Sequence, residues 1–183
     1  MALVHLDFPT LGLTLAYATC YRVIARAANA YATAQGLPGF VADQMLWNAA
    51  VLDAAALPDQ TMVAMNPALY AYHQESGLAA IPYSSQAHGL LHKLITGNKA
   101  AIRPNQRTIY PIAANQTRAD AVQALAQELG VSLTGVVLGY LQSQPFVTIP
   151  IVGAQTIPHL HDSLAGDGVR LTPAQLATLD AAQ

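Results

Sequence analysis

Three observations predict an α/β fold for this chain. Short, nearly all-apolar segments of strand length recur along it, and each leads into a stretch of helix-forming composition, the alternation of a parallel sheet covered by helices. The length of 183 residues suits one domain with a real core. Apolar residues make up 53% and charged residues 10% of the chain, against about 25% charged in an ordinary domain, so the chain must bury surface and is not a disordered segment.

The elements follow in order. Leu13 to Ala18 (LTLAYA) reads as a buried strand and Arg22 to Gln35 as an Ala-rich helix, stopped by Gly36 and Pro38. Phe40 to Gln44 (FVADQ) is a second strand, Pro67 to Ser76 a helix ended by Gly77, and Leu78 to Ser84 (LAAIPYS) a third strand. His88 to about Asn115 reads as loop, after which Thr117-Arg-Ala-Asp120 resembles a capping box opening a long helix that stops at Gly130. Ser132 caps a helix from Leu133 to about Ser143, and Phe146 to Val152 (FVTIPIV) is the fourth strand. Thr156 caps a helix around Pro158 to Leu164, and Thr172-Pro-Ala-Gln175 places a cap, a first-turn proline and a third-position glutamine before a last helix, Gln175 to Ala182. Four βα units are too few to close a (β/α)8 barrel, so the sheet is either open or an incomplete barrel.

Composition excludes several classes. Eight Lys and Arg against ten Asp and Glu give a net charge of -2, and no basic stripe tracks a phosphate backbone, which argues against nucleic acid. With only Glu75, Glu128, Lys93 and Lys99 of their kinds, some apolar surface is expected to need a partner. The single Cys20 rules out an internal disulfide and favours a reducing, cytoplasmic setting. Leu11 to Ala18 loosely resembles a signal-peptide core, but no Lys or Arg precedes it, and no apolar run reaches the ~18 residues of a membrane span.

No G-x-G-x-x-G, G-x-x-x-x-G-K-[ST], G-x-S-x-G or H-E-x-x-H pattern occurs. His88 and His92 stand four apart, but Gly89 weakens a shared helix and no third ligand completes a metal site, so they read as loop or surface histidines. His159 and His161, two apart, point to different sides of a helix. Gln44 closes an apolar strand, either as a plain terminus or as a ligand contact at the sheet's carboxyl edge.

Phe40-Val-Ala-Asp-Gln44, Ile81-Pro-Tyr-Ser-Ser-Gln-Ala-His-Gly-Leu90 and Gln144-Pro-Phe-Val-Thr-Ile-Pro-Ile-Val-Gly-Ala-Gln-Thr156 resemble the sixth, seventh and eighth strands of the aldo-keto reductases. Asn115-Gln-Thr-Arg118, the helix before Gly130 and Leu171-Thr-Pro-Ala-Gln-Leu are similar to further family features, so coverage runs from about Ile24 to the end. The resemblance implies an incomplete TIM (β/α)8 barrel of about four C-terminal βα units, a half-barrel in a single N-terminally truncated domain. It implies a nicotinamide cofactor, NADP(H) or NAD(H), and a carbonyl-reducing oxidoreductase. By that likeness Gln44 holds the nicotinamide carboxamide and Tyr83 stacks on its ring. Ser84, Gln86 and His88 lie in the loop passing the pyrophosphate, Gly153, Ala154 and Gln155 lie where the chain leaves the eighth strand, and His159, Asp162 and Ser163 meet the adenosine end. On residues alone Tyr83 also reads as a strand-end aromatic and Gly153 as a tight turn.

Three departures qualify the likeness. Gln155 stands where NADPH-preferring relatives commonly carry an arginine, leaving the 2′-phosphate without its bidentate cation. Ala18-Thr-Cys-Tyr21 stands where the family has a serine-asparagine-aromatic segment. The family's catalytic Asp, Tyr, Lys and His lie on its first four strands, and this chain's only lysines, Lys93 and Lys99, follow the seventh. The expectation is therefore a cofactor-binding half, inactive alone, that self-associates or docks with a complementing N-terminal half. The rivals are a non-catalytic nucleotide-sensing or interaction module and a truncated, non-functional reading frame.

Overall fold

The computed structural model describes residues 2–8, 13–19, 22–59 and 61–182, with side chains from residue 25 on. A four-stranded sheet runs in sequence order: β1 (Ala2–Phe8), β2 (Leu13–Thr19), β3 (Ala42–Leu46) and β4 (Ala79–Tyr83). β2, β3 and β4 are parallel, with Tyr17 opposite Ala42 and Gln44 opposite Ile81. The 146–152 segment continues this order beside β4 through one parallel bridge, Ala80 to Thr148. Backbone bonds from Ala80 N to Val147 O, Ile149 N to Ala80 O and Ile151 N to Pro82 O extend it, each 2.8 Å long. Neighbouring strands that are also consecutive in the chain are the arrangement of a barrel wall, in contrast to the reversing order of a doubly wound sheet.

The helices are α1 (Arg22–Ala34), α2 (Pro67–Ser76), α3 (Leu90–Ile95), α4 (Pro104–Ile109), α5 (Ile112–Leu129), α6 (Leu133–Gln142), α7 (Ile157–Ala165) and α8 (Pro173–Ala181). Their ends follow local chemistry. Asn66 accepts from Ala68 N and Leu69 N to start α2, and Gly77 stops it at φ 69°, a left-handed turn that costs glycine nothing. Ser132, Thr156 and Thr172 cap α6, α7 and α8 through their hydroxyls, and Gln175 closes the capping box at Thr172. Among the described residues no single helix is long and apolar enough to cross a membrane.

Five sequence expectations need correction. Phe146 to Val152, expected as the fourth strand, forms only the isolated bridge at Thr148, and Pro150 interrupts any longer ladder. β3 is Ala42–Leu46, two residues later than Phe40 to Gln44, because Asn29 of α1 clamps Phe40 through its backbone N–H (2.6 Å) and carbonyl (3.2 Å) ahead of the strand. The expected loop from His88 to Asn115 holds two helices, α3 and α4. Thr117 caps nothing: α5 already begins at Ile112, since Asn115 turns its side chain away to Val51 N and to the Val51 and Pro111 carbonyls. Finally, β1 pairs antiparallel with β2 from Ala2 opposite Thr19 to Phe8 opposite Leu13, a strand not expected before Leu13.

The core lies on the helix-covered side of the sheet. Asp43 and Met45 point toward it from β3 and Trp47 from the residue after β3, and Trp47 meets Tyr70, Tyr140 and Phe146 with ring centroids 6.0 to 6.3 Å apart. His73, fully buried, stacks on Phe146 at 5.2 Å. Its Nδ1 lies 2.7 Å from the Leu78 carbonyl oxygen, which only accepts, so Nδ1 carries the proton. Nε2 lies 3.9 Å from Asp43 Oδ2. Burial pushes the His73 pKa down, and the Leu78 bond opposes this more weakly. Below pH about 6.5 the unfolded chain therefore binds a proton that the folded chain refuses until its own lowered value is reached, and stability falls with acidification by up to about 1.4 kcal/mol per pH unit. Urea midpoints measured from pH 7.5 to 5.5 should show this decline, with a shallower slope in His73→Gln.

Candidate functional site

The second face of the sheet carries the residues singled out from sequence. Alternation along β3 turns Gln44 away from the helices, and its register partner Ile81 shares that face with Tyr83, two residues on. Strand spacing and rise put Gln44 and Tyr83 about 8 Å apart, and both are half-buried. Val147, Ile149 and Ile151 continue the face and are 60%, 54% and 44% exposed. Burial of Tyr83, then the Asp59 charge, raises its phenol pKa, so it stays neutral.

The loop leaving β4 is conformationally expensive. Ser84 (φ 51°), Ala87 (φ 48°) and His88 (φ 52°) are the non-glycine residues held left-handed among the described residues, and they are followed by Gly89 at φ 73°. Each costs on the order of 1–3 kcal/mol and persists only where its surroundings over-determine it, as at ligand clamps. The surroundings do so here. Asn48 Nδ2 donates to Ser84 O (3.1 Å), and buried Gln106 donates through Nε2 to Ala87 O (3.0 Å). Ser85 Oγ donates to Ile151 O, and Gln86 Nε2 donates to Ser163 Oγ (3.0 Å). The last two bonds tie the loop to the end of the 146–152 segment and to α7.

Three of the predicted groups thus converge: Tyr83, the 84–88 loop with Ser84, Gln86 and His88, and Ser163. Gly153, Ala154 and Gln155 are exposed beyond Ile151, and Asp162 is half-buried beside Ser163. His159 is exposed, with its N–H bonded to the Thr156 hydroxyl and its carbonyl to Ser163 Oγ. Cys20 and Tyr21, the centre of the second departure, lie outside the described residues.

Sequence reasoning missed two cations and a glutamine. Gln106 Oε1 accepts from Lys93 Nζ (3.2 Å) and from the backbone N–H of Arg103 (3.1 Å), so one buried side chain holds the Lys93 ammonium and the start of α4 beside the loop it braces. Partial burial, then Arg103 and Lys93, push the His88 pKa down, and burial with Arg103 does the same to Lys93. Among the described residues no ion pair to a carboxylate offsets Lys93 or Arg103. Mutual depression of neighbouring cations marks a locus where an anion is favoured. In sequence Lys93 and Arg103 lie in the stretch expected as loop, and α3 and α4, 6 residues each, are too short for helical periodicity to reveal them. His88 and His92 do not share a helix, and among the described residues no group of three or more His, Cys, Asp or Glu could hold a metal.

Compared with known proteins, residues 10–183 match the family model described as "Aldo/keto reductase family". The chain belongs to the aldo/keto reductase family. Its match begins earlier than the Ile24 expected from motifs and leaves β1 outside. Curated relatives include norsolorinic acid reductase B of Dothistroma septosporum, 28% identical over 85% of this chain and 37% of that protein. Aldo-keto reductase ausK of Aspergillus calidoustus is 28% identical over 86% of this chain and 38% of its own. The chain therefore spans less than half the length of these relatives. In fold it is similar to a thermostable aldo-keto reductase, Tm1743, solved with the inhibitor epalrestat, at a TM-score of 0.50 and 17% identity over 84% of this chain and 44% of that one.

Proposed function

We propose that this chain is the nicotinamide-cofactor half of an NAD(P)H-dependent, carbonyl-reducing aldo-keto reductase, four βα units of a (β/α)8 barrel, and that alone it binds cofactor without reducing carbonyls. The observation that carries the reading is the strained 84–89 loop at the carboxyl end of β4, bordered by Tyr83 on one side and by His88, Lys93 and Arg103 on the other. That combination of an aromatic platform, a rigid backbone turn and unpaired positive charge suits an aromatic ring joined to phosphates.

In this reading Gln44 hydrogen-bonds the carboxamide, and the Tyr83 ring covers one face of the nicotinamide, leaving the other for transfer. Ser84, Gln86 and His88 line the pyrophosphate with Lys93 and Arg103 behind them. Gly153, Ala154, Gln155, His159, Asp162 and Ser163 flank the adenosine end. When bound, the nicotinamide supplies or accepts a hydride. The chain's own contribution is to orient the ring and neutralise phosphate charge. Proton donation to a carbonyl is typically worth 10² to 10⁴ in rate, and neither lysine lies on the face carrying Gln44 and Tyr83: Lys93 is on α3, and Lys99 follows it. Substrate turnover therefore needs groups that this chain does not carry.

Titration of the purified chain with NADPH and NADH, followed by nicotinamide fluorescence beside an aldehyde-reduction assay, tests this directly. Saturable binding without turnover is the expected result. Absence of binding for both dinucleotides overturns the reading, and turnover by the chain alone overturns its second part.

A further inference from the structure

The strained turn after β4 is braced from one side by a single short helix. α4 spans 6 residues, Pro104–Ile109, and both its first turn and the residue after its end serve that turn. Tyr110, fully buried just beyond α4, accepts a hydrogen bond from Asn48 Nδ2 (3.1 Å), which also donates to the Ser84 carbonyl. Gln106, buried in the first turn of α4, is bonded to the loop directly. The ionisable side chains clustered there, His88, Lys93 and Arg103, are all basic.

Gln106 uses both ends of its amide at once. Nε2 donates to the Ala87 carbonyl oxygen (3.0 Å), which also accepts from the Leu90 N–H at the start of α3. Both lone pairs of that oxygen are then engaged, so the Ala87–His88 peptide plane is held against rotation. A trans peptide points its N–H opposite to its carbonyl, and with the Ala87 oxygen turned in toward α4 the His88 N–H is turned out. Fixing this plane keeps Ala87 at φ 48° and His88 at φ 52°, ψ 36°. The other end, Oε1, accepts from Lys93 Nζ (3.2 Å). An amide can do both, whereas a carboxylate only accepts and an ammonium only donates. An amide also places the Lys93 ammonium without cancelling its charge, as a glutamate at the same position would.

We propose that Gln106 is the positioning residue of the phosphate site, holding the Ala87–His88 peptide and the Lys93 ammonium in their binding places before any cofactor arrives. The inference rests on the cofactor reading above and adds to it a residue that, being buried, does not touch the ligand. Ordering a loop at the moment of binding costs affinity, and a turn already fixed avoids that cost. The neutrality of the brace matters as much as its geometry, because it leaves the positive charge of Lys93 for the phosphates.

Wild type, Gln106→Met and Gln106→Glu are to be titrated with NADPH by nicotinamide fluorescence at about pH 8, in salt from about 20 to about 200 mM, where screening of charge changes most. Methionine keeps the side-chain length but removes both bonds, and should weaken binding about tenfold. Its salt dependence should match the wild type, since Lys93 and Arg103 stay charged. Glutamate, ionised beside Lys93, removes the donor and also neutralises the ammonium. It should therefore bind more weakly than the methionine variant at low salt and show a shallower salt dependence. A merely structural role would lower affinity together with the melting temperature and leave the three salt slopes parallel. Parallel slopes, or variants that bind as tightly as the wild type, overturn the inference and leave the cofactor reading standing. A wild type that binds neither NADPH nor NADH overturns that reading and the inference with it. Amide hydrogen exchange on the wild type tests the preformed turn without variant or ligand. The Ala87 and Gly89 N–H groups, bonded to Ser84 O and Gln86 O at 2.8 Å, should be protected before NADPH is added. Exchange at the rate of an unstructured chain overturns the inference even where a variant fails to fold.

Discussion

Replacing Lys93 and Arg103 together by methionine is expected to weaken NADPH and NADH binding by roughly 30-fold, about 2 kcal/mol at 1.4 kcal/mol per tenfold. Charge-assisted contacts to phosphate are the stronger hydrogen bonds, and the Lys93 ammonium is already held by a buried acceptor, Gln106 Oε1, so little of its side-chain freedom is lost on binding. The loss should be similar for the two dinucleotides, because the 84–89 loop is assigned to the pyrophosphate that both share. A much larger loss for NADPH would move the cluster to the 2′-phosphate and make it the replacement for the arginine absent at Gln155. Two accompanying signs are fixed by the same electrostatics. Binding to the wild type should weaken with salt, and it should strengthen as pH falls, because His88 is held neutral by burial and by its two basic neighbours and takes up a proton when an anion arrives. The double variant removes that repulsion, so its own pH dependence should move upward.

Much of this was legible in the sequence, and what was not has identifiable causes. α2, α6, α7 and α8 carry cap side chains and prolines or glycines at their ends, and their limits were readable to within about two residues. The resemblance placed Tyr83 and the 84–88 loop where the structure finds a strained turn. The stretch from 88 to 115 misled because its punctuation, Gly97 and Pro104, also separates two short helices, and each is too brief for a period of 3.6 to declare itself. Asn115 reads locally as a loop residue, since asparagine competes with helix backbone, yet here its amide serves the 48–52 segment sixty residues away, a contact that local pattern does not encode. Lys93 and Arg103 were invisible as a pair for the same reason: Gln106, on the α4 helix that Arg103 opens, reaches across to Lys93 on α3. β1 escaped because MALVHLDF lacks a turn of the Asn-Gly type before Leu13 and lies outside the family match.

Trp47→Ala should cost about 3–5 kcal/mol, the largest loss from a single side chain in this fold. The face of the sheet carrying Val147, Ile149 and Ile151 is exposed, so stability must come from the side beneath the helices, and Trp47 is the hub there. Its ring touches α2 through Tyr70, α6 through Tyr140 and the 146–152 segment through Phe146. Truncation removes aromatic contacts in three directions and leaves a void that Ala49, on the same short loop, cannot fill. Trp47→Phe keeps the stack on Phe146 and should lose less than half as much. Because Trp47 is the chain's one tryptophan, unfolding has to be followed by circular dichroism. In a domain of this size 1 kcal/mol corresponds to about 2–4 °C, so the alanine variant should melt roughly 10 °C or more below the wild type. A loss under 1 kcal/mol would mean that β3, α2, α6 and the 146–152 segment are not packed on one another as described, and the placement of Gln44 relative to Tyr83 would fall with it, since β3 holds both faces.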